Sequence, residues 1–212
     1  MKRKLRVLLV IMFGMYASGS MAQDVRITED METASFSVAG RDYTIARDQD
    51  TTNRLTGDLT RTSRPCPDFC IQPMRAAPGV RTLGELEVIS FLEEEVSPGR
   101  GLLVDARSPG AFAAAAVPGA VNVPLEVVLE ENPYRGQIFE ALGGRPDGIG
   151  FDFDAGLQLV IYGDGPWSSE AADMIRELVD AGYPAANLGY YRGGMQSWQG
   201  LGLTVADTAS GG

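Results

Sequence analysis

The feature that most constrains the fold is the run Leu157-Gln158-Leu159-Val160-Ile161-Tyr162. It is short, almost wholly apolar and rich in β-branched and aromatic residues, which is the pattern of a strand in a sheet covered on both faces. Similar short runs occur at Gly101-Leu102-Leu103-Val104-Asp105, at Val121-Asn122-Val123-Pro124 and at Asn187-Leu188-Gly189-Tyr190-Tyr191. Helical spacing fills the gaps. Thr82, with Glu85 three places on, predicts a capped helix whose apolar face is Leu83, Leu86, Ile89, Phe91 and Leu92, ended by Pro98-Gly99. Leu125 to Glu131 continues as a helix after the second strand. Ser169 to Ala181 places Ala172, Ile175 and Val179 on one side and closes at Gly182, and Gly194 to Trp198 gives a short final helix. Strands alternating with helices predict an α/β fold, a parallel sheet flanked by helices over residues 80–205. Between Asn132 and Gly156 the chain is rich in Gly and Asp and reads as a solvated insertion. Asp147, Asp152 and Asp154 within it lack the spacing of a calcium loop.

Residues 23–79 read as an N-terminal arm. Ala34 to Val38 and Tyr43 to Ala46 alternate across Gly40-Arg41-Asp42, which predicts a small β-hairpin. Arg47 to Arg64 is polar and irregular. A two-stranded ribbon is not stable alone, so the arm is expected to lie against the main domain. Three prolines between Pro65 and Met74 rule out a regular helix there. Residues 206–212 are expected to form a disordered tail.

The first 22 residues read as a signal peptide. Lys2, Arg3, Lys4 and Arg6 precede an apolar run from Val7 to Tyr16, and Ser20-Met21-Ala22 puts small residues where a signal peptidase cuts. Cleavage after Ala22 delivers a chain starting at Gln23 to the periplasm or the exterior. No other stretch is apolar enough to cross a bilayer, so no membrane association is expected after cleavage.

The formal charge of −10 argues against nucleic acid or an anionic lipid surface as partner. There is no histidine, and the only lysines are Lys2 and Lys4. Schiff-base chemistry, Ser-His or Cys-His nucleophile pairs and histidine-based metal sites are therefore excluded from the exported chain. Carboxylates, hydroxyls, arginines, backbone amides and two cysteines remain.

Three segments together resemble the rhodanese family. Leu102 to Ser108, with Asp105-Ala106-Arg107-Ser108, is similar to the family's strand-end Asp-x-Arg-Ser signature. Val117-Pro118-Gly119-Ala120-Val121-Asn122-Val123-Pro124 resembles its Ile-Pro-Gly-Ala-x-Asn-x-Pro segment. Tyr190 to Trp198, followed by Gly202-Leu203, is similar to its closing Gly-Gly-x-x-x-Trp motif. The resemblance implies a rhodanese-like sheet and a site beyond the carboxyl ends of its strands. There a loop opens with a cysteine, and its amides, with a helix N-terminus, stabilise thiolate and persulfide. In this chain that loop is Gly163-Asp164-Gly165-Pro166-Trp167-Ser168-Ser169. Gly163 stands at the cysteine position, Pro166 at a usual glycine and Ser168 where an arginine often follows. Ala115-Ala116 replace the common Gly-His. Glycine carries no nucleophile, and Asp164 adds a carboxylate that repels thiosulfate. Asp105 and Arg107 are expected to brace the loop, and Ser168 or Ser169 to cap the next helix. Ser168 or Asp164 as nucleophile would lack an activating base. Trp167 is either a recognition residue at the loop tip or a cover for the core. No cofactor is implied.

Cys66 and Cys70 leave three alternatives. A pair in an oxidising compartment forms a structural disulfide; or it is a thiol-redox or sulfur-handling centre; or, with Met74, it offers three soft sulfurs to Cu(I). The leading expectation is an exported rhodanese-like protein without sulfurtransferase activity, a binding or interaction module for a periplasmic protein or small anion.

Overall fold

The computed structural model describes residues 24–206 apart from Ile149 and Ala155. The expected signal peptide and the expected tail from Asp207 onward lie outside the described residues.

Two strands, β1 (Ala34–Val38) and β2 (Arg41–Ile45), form an antiparallel hairpin with Val38 opposite Arg41. The turn is therefore Ala39-Gly40, both at positive φ (51° and 79°), the geometry of a tight two-residue hairpin loop. Arg41 and Asp42, expected in the turn, belong to the second strand.

The main sheet is parallel and has five strands. In chain order these are β3 (Arg81–Leu83), β4 (Gly101–Asp105), β5 (Val121–Asn122), β8 (Gln158–Tyr162) and β9 (Leu188–Tyr191). Across the sheet the order is β3-β9-β8-β4-β5. Helix α1 (Glu85–Phe91) continues into a wide turn over Leu92–Val96; α2 is Pro109–Ala114, α4 is Glu170–Asp180 and α5 is Gly194–Gly200.

Alternation along β8 divides the core in two. Leu159 and Ile161 join Ala171, Ala172, Met174, Ile175 and Leu178 of α4. Val160 and Tyr162 join Val88, Ile89 and Leu92, Met195 and Trp198 of α5, and Ala34, Phe36 and Ile45 of the hairpin. The arm thus supplies part of the second core.

Four local expectations need correction. Thr82 does not cap a helix: it pairs with Tyr190 in the edge strand, and α1 starts from Gly84, whose amide donates to Glu87 Oε2 at 3.0 Å. Strand pairing outweighs the local capping signal, and Leu86 is left exposed. Leu125–Val127 is one short 3-10 turn rather than a helix to Glu131. The insertion is not simply solvated. It contains helix α3 (Arg135–Ala141) and a ribbon of β6 (Arg145–Pro146) with β7 (Phe151–Asp152), which bury Phe139, Leu142 and Phe153 against Tyr183. At the other end Ala206, expected in the tail, exchanges backbone hydrogen bonds with Ala116 at 2.8 and 3.0 Å.

Candidate functional site

Parallel register sets Asn122, Asp105, Tyr162 and Tyr191 side by side at the carboxyl edge of the sheet. Loops leaving this edge converge, because every strand delivers its chain to the same side.

The loop 163–169 runs from β8 into α4. It is held from outside by the start of α5. The amide of Met195 donates to Gly163 O at 3.1 Å and that of Gln196 to Asp164 O at 2.8 Å. Gly194, at φ +56°, makes this approach possible, since a β-carbon there would lie 2.8 Å from Gly165 N and closer still to Gly163 O. The Gly-Gly-x-x-x-Trp segment is thus a clamp on the loop backbone. Its tryptophan, Trp198, is fully buried and donates to Thr204 O at 2.8 Å.

Arg107 braces the loop from the β4 side. Its guanidinium makes a side-on pair with Asp105, 2.9 and 2.6 Å, reaches Asp164 Oδ1 at 3.2 Å and donates to Ala115 O at 2.7 Å. Asp105 is wholly buried and Arg107 nearly so. Burial works against the arginine's charge, but the hydrogen bond and charge of Asp105 outweigh it and hold the group protonated above its ordinary range. Asn122 donates to the carbonyls of Asp105 and Arg107, at 3.0 and 2.8 Å, and so fixes that turn. The Tyr162 hydroxyl accepts the amide of Val117 at 3.1 Å. Burial, then the neighbouring Asp105 charge, pushes its pKa well up. Through these four hydrogen bonds Arg107 ties the loop to the sheet edge and to the end of α2.

Gly163 is buried, and the space its missing side chain leaves is taken. A β-carbon there would stand 2.9 Å from Ser168 Oγ, 3.6 Å from Glu170 Oε2 and 3.7 Å from the amide of Ala171. Ser168 hydrogen-bonds Glu170 across this point. Neither Ser168 nor Ser169 caps α4 with its side chain, contrary to expectation. Ser168 is turned inward, and its amide closes the loop on Gly165 O at 3.0 Å. Glu170 and Asp164 therefore bring carboxylates to a cradle whose amides would otherwise favour an anion. Glu170 is a site residue the sequence reading missed, as are Gly194 and Gln196.

Trp167 donates to Gln196 Oε1 at 2.8 Å and its face is covered by the arm. The Arg64 guanidinium lies 3.4 Å from the Trp167 ring centre, and Phe69 meets that ring edge-on at 5.4 Å. Past the stack, the Gln72 backbone carbonyl accepts from Arg192 Nε and Nη2, 3.1 and 2.7 Å, and the Gln72 backbone N–H donates to Pro166 O at 2.8 Å. A mouth of about 320 Å³ remains between Leu59, Arg64, Phe69, Trp167, Asp164 and the end of α2. Cys66 and Cys70 are bonded to each other, with Cα atoms 5.0 Å apart, and bracket Phe69. In this state neither sulfur is a thiolate, and Met74 is exposed to solvent. Among the described residues no group of three or more His, Cys, Asp or Glu side chains is placed to hold a metal ion.

Solved structures to which the chain is similar include a Bacillus halodurans protein (15% identity, 61% of this chain and 78% of that one, TM-score 0.46). A rhodanese-like domain from Anabaena sp. gives 15% identity, 61% and 81% coverage and a TM-score of 0.43. The human single-domain sulfurtransferase gives 22%, 57% and 96%, and 0.38. Comparison with the curated proteins gives no match. The sequence profile of the Rhodanese-like domain matches residues 89–201, just over half of the chain, and the protein belongs to that family.

Proposed function

We propose that this is an exported rhodanese-like module that does not carry sulfur and instead binds a partner polypeptide at the mouth beside the loop 163–169. The observation that carries this reading is the state of the cradle. Gly163, which the resemblance puts at the nucleophile's position, has no side chain, and the space beside it holds the Ser168 hydroxyl and the Glu170 carboxylate. A persulfide cycle needs a thiolate there and amides free to stabilise it. The two carboxylates also disfavour a small anion as ligand, leaving a polypeptide as the partner of choice. Export rests on the charge, apolar run and small residues of positions 1–22.

The test is turnover from thiosulfate and from 3-mercaptopyruvate to cyanide, using the chain from Gln23, its Cys66→Ser and Cys70→Ser variants and an active rhodanese as reference. Background rates in all three forms are expected. Turnover in the wild type that disappears in either variant would instead make Cys66 and Cys70 the sulfur-handling pair.

A further inference from the structure

The segment from Thr60 to Ile71 crosses the mouth as a strap. One end is fixed where Gln196 Nε2 donates to Leu59 O at 2.9 Å, and the other at Gln72 on Arg192 and Pro166. Between these anchors the strap touches the loop through side chains. Arg64 lies over Trp167, and also 5.5 Å from the Phe69 ring centre, while Phe69 abuts Trp167. Phe69 sits inside the small ring closed by Cys66–Cys70, and the Phe69 amide bonds back to Pro65 O at 3.2 Å. The disulfide therefore fixes where Phe69 points. Cys66 is exposed, and Ile71 beside the pair is 88% exposed, so a reductant can reach the sulfurs.

We propose that the Cys66–Cys70 disulfide is a redox latch that holds the strap over Trp167, and that a dithiol opens it. This rests on the reading of the mouth as the binding site. One thiolate of the dithiol attacks a cysteine sulfur, the S–S bond breaks and a mixed disulfide forms. The second thiol of the reductant then displaces the remaining cysteine. Two electrons and two protons pass to Cys66 and Cys70, and the reductant leaves as a disulfide. Without ring closure, Phe69 is held only by its backbone bond to Pro65 O and leaves Trp167, and Arg64, outside the ring and bonded to Asp58 O, loses the packing of Phe69 that seats it over the indole. The anchors at Leu59 and Gln72 keep the strap attached, so the change is reversible on reoxidation.

Acrylamide quenching reads the change directly, because Trp198 is fully buried and the signal reports Trp167. The probe is dithiothreitol, with thiol titration to count released sulfhydryls and far-UV circular dichroism to show that the fold persists. On reduction the quenching constant should rise about twofold, as a mostly covered ring becomes solvated. Phe69→Ala should show the raised value while still oxidised. Cys66→Ser/Cys70→Ser should show it regardless of reductant; should that variant not fold, reduced wild type and Phe69→Ala decide. Equal quenching of oxidised and reduced wild type overturns the latch, as does failure of the folded chain to release two thiols. Sulfurtransferase turnover appearing on reduction alone would overturn the binding-module reading and leave the latch standing.

Discussion

Gly194 packs so tightly on Gly163 that a single added β-carbon would run into the Gly163 carbonyl oxygen. That contact joins the closing motif of the chain to the loop 163–169 that leads from β8 into α4. It explains a pair of glycines whose role is invisible in a single sequence.

Gly194→Ala is therefore expected to destabilise the protein by about 3 kcal/mol, combining a left-handed backbone with a backbone clash. Urea unfolding measures it. Gly110→Ala, where a β-carbon meets nothing within 4 Å, is the control and should stay within about 0.5 kcal/mol of wild type. Equal stability of the two variants would contradict the clamp.

The Asp105–Arg107 pair gives a second prediction. Arg107→Ala leaves a wholly buried carboxylate without its partner, at an expected loss of about 3–5 kcal/mol. Arg107→Lys keeps the charge but not the two parallel hydrogen bonds, and should recover only part of that loss. The Asp105→Asn/Arg107→Ala double variant should be more stable than Arg107→Ala, since the unpaired charge is gone. No difference between the single and double variants would show that the pair is not coupled.

Much of this was legible in the sequence, and the failures have specific causes. The strands β4, β5, β8 and β9 and helix α4 follow from apolar runs and periodicity, because both faces of the sheet are covered. Thr82 satisfied a local capping pattern that pairing with Tyr190 overrode. Helix α3 was hidden by the Gly and Asp around it, although Ile138, Phe139 and Leu142 carry helical spacing. Glu170 could not be found as a site residue, since only the turn of the loop aims it back at Ser168 and Gly163. The cover on Trp167 depends on contacts about a hundred residues apart, which local pattern does not encode.

Stability should have an unusual pH profile. After Lys4 the sequence has no lysine and it has no histidine, and Cys66 and Cys70 are bonded, so no side chain with an ordinary pKa between about 6 and 9 is free and a flat profile is expected there. Burial raises Tyr162, Tyr183, Tyr190 and Tyr191 above the ordinary 10.0, helped at Tyr162 by Asp105 and at Tyr191 by Glu85. The unfolded chain releases these protons first, so their contribution is complete below the ordinary value and is lost as pH climbs above it. Each such tyrosine adds a slope of about 1.4 kcal/mol per pH unit. Tyr162→Phe should flatten the alkaline limb in melts from pH 8 to 11. An unchanged limb would contradict the assignment.

A cysteine restored to the loop tests the electrostatics of the cradle. Gly163→Cys/Ser168→Ala removes the hydroxyl that blocks the new side chain. With Glu170 close by, the thiol should titrate at or above about 8.5. Adding Glu170→Gln should lower that value, read from the pH dependence of iodoacetamide alkylation. A thiol already acidic with Glu170 in place would mean the carboxylate does not govern the site.

The most direct test of the whole account is the intact mass of the chain from Gln23 after incubation with excess thiosulfate under native conditions, disulfide intact. The mass should be unchanged, because no thiolate stands where the loop amides converge. A stoichiometric gain of one sulfur atom would contradict it.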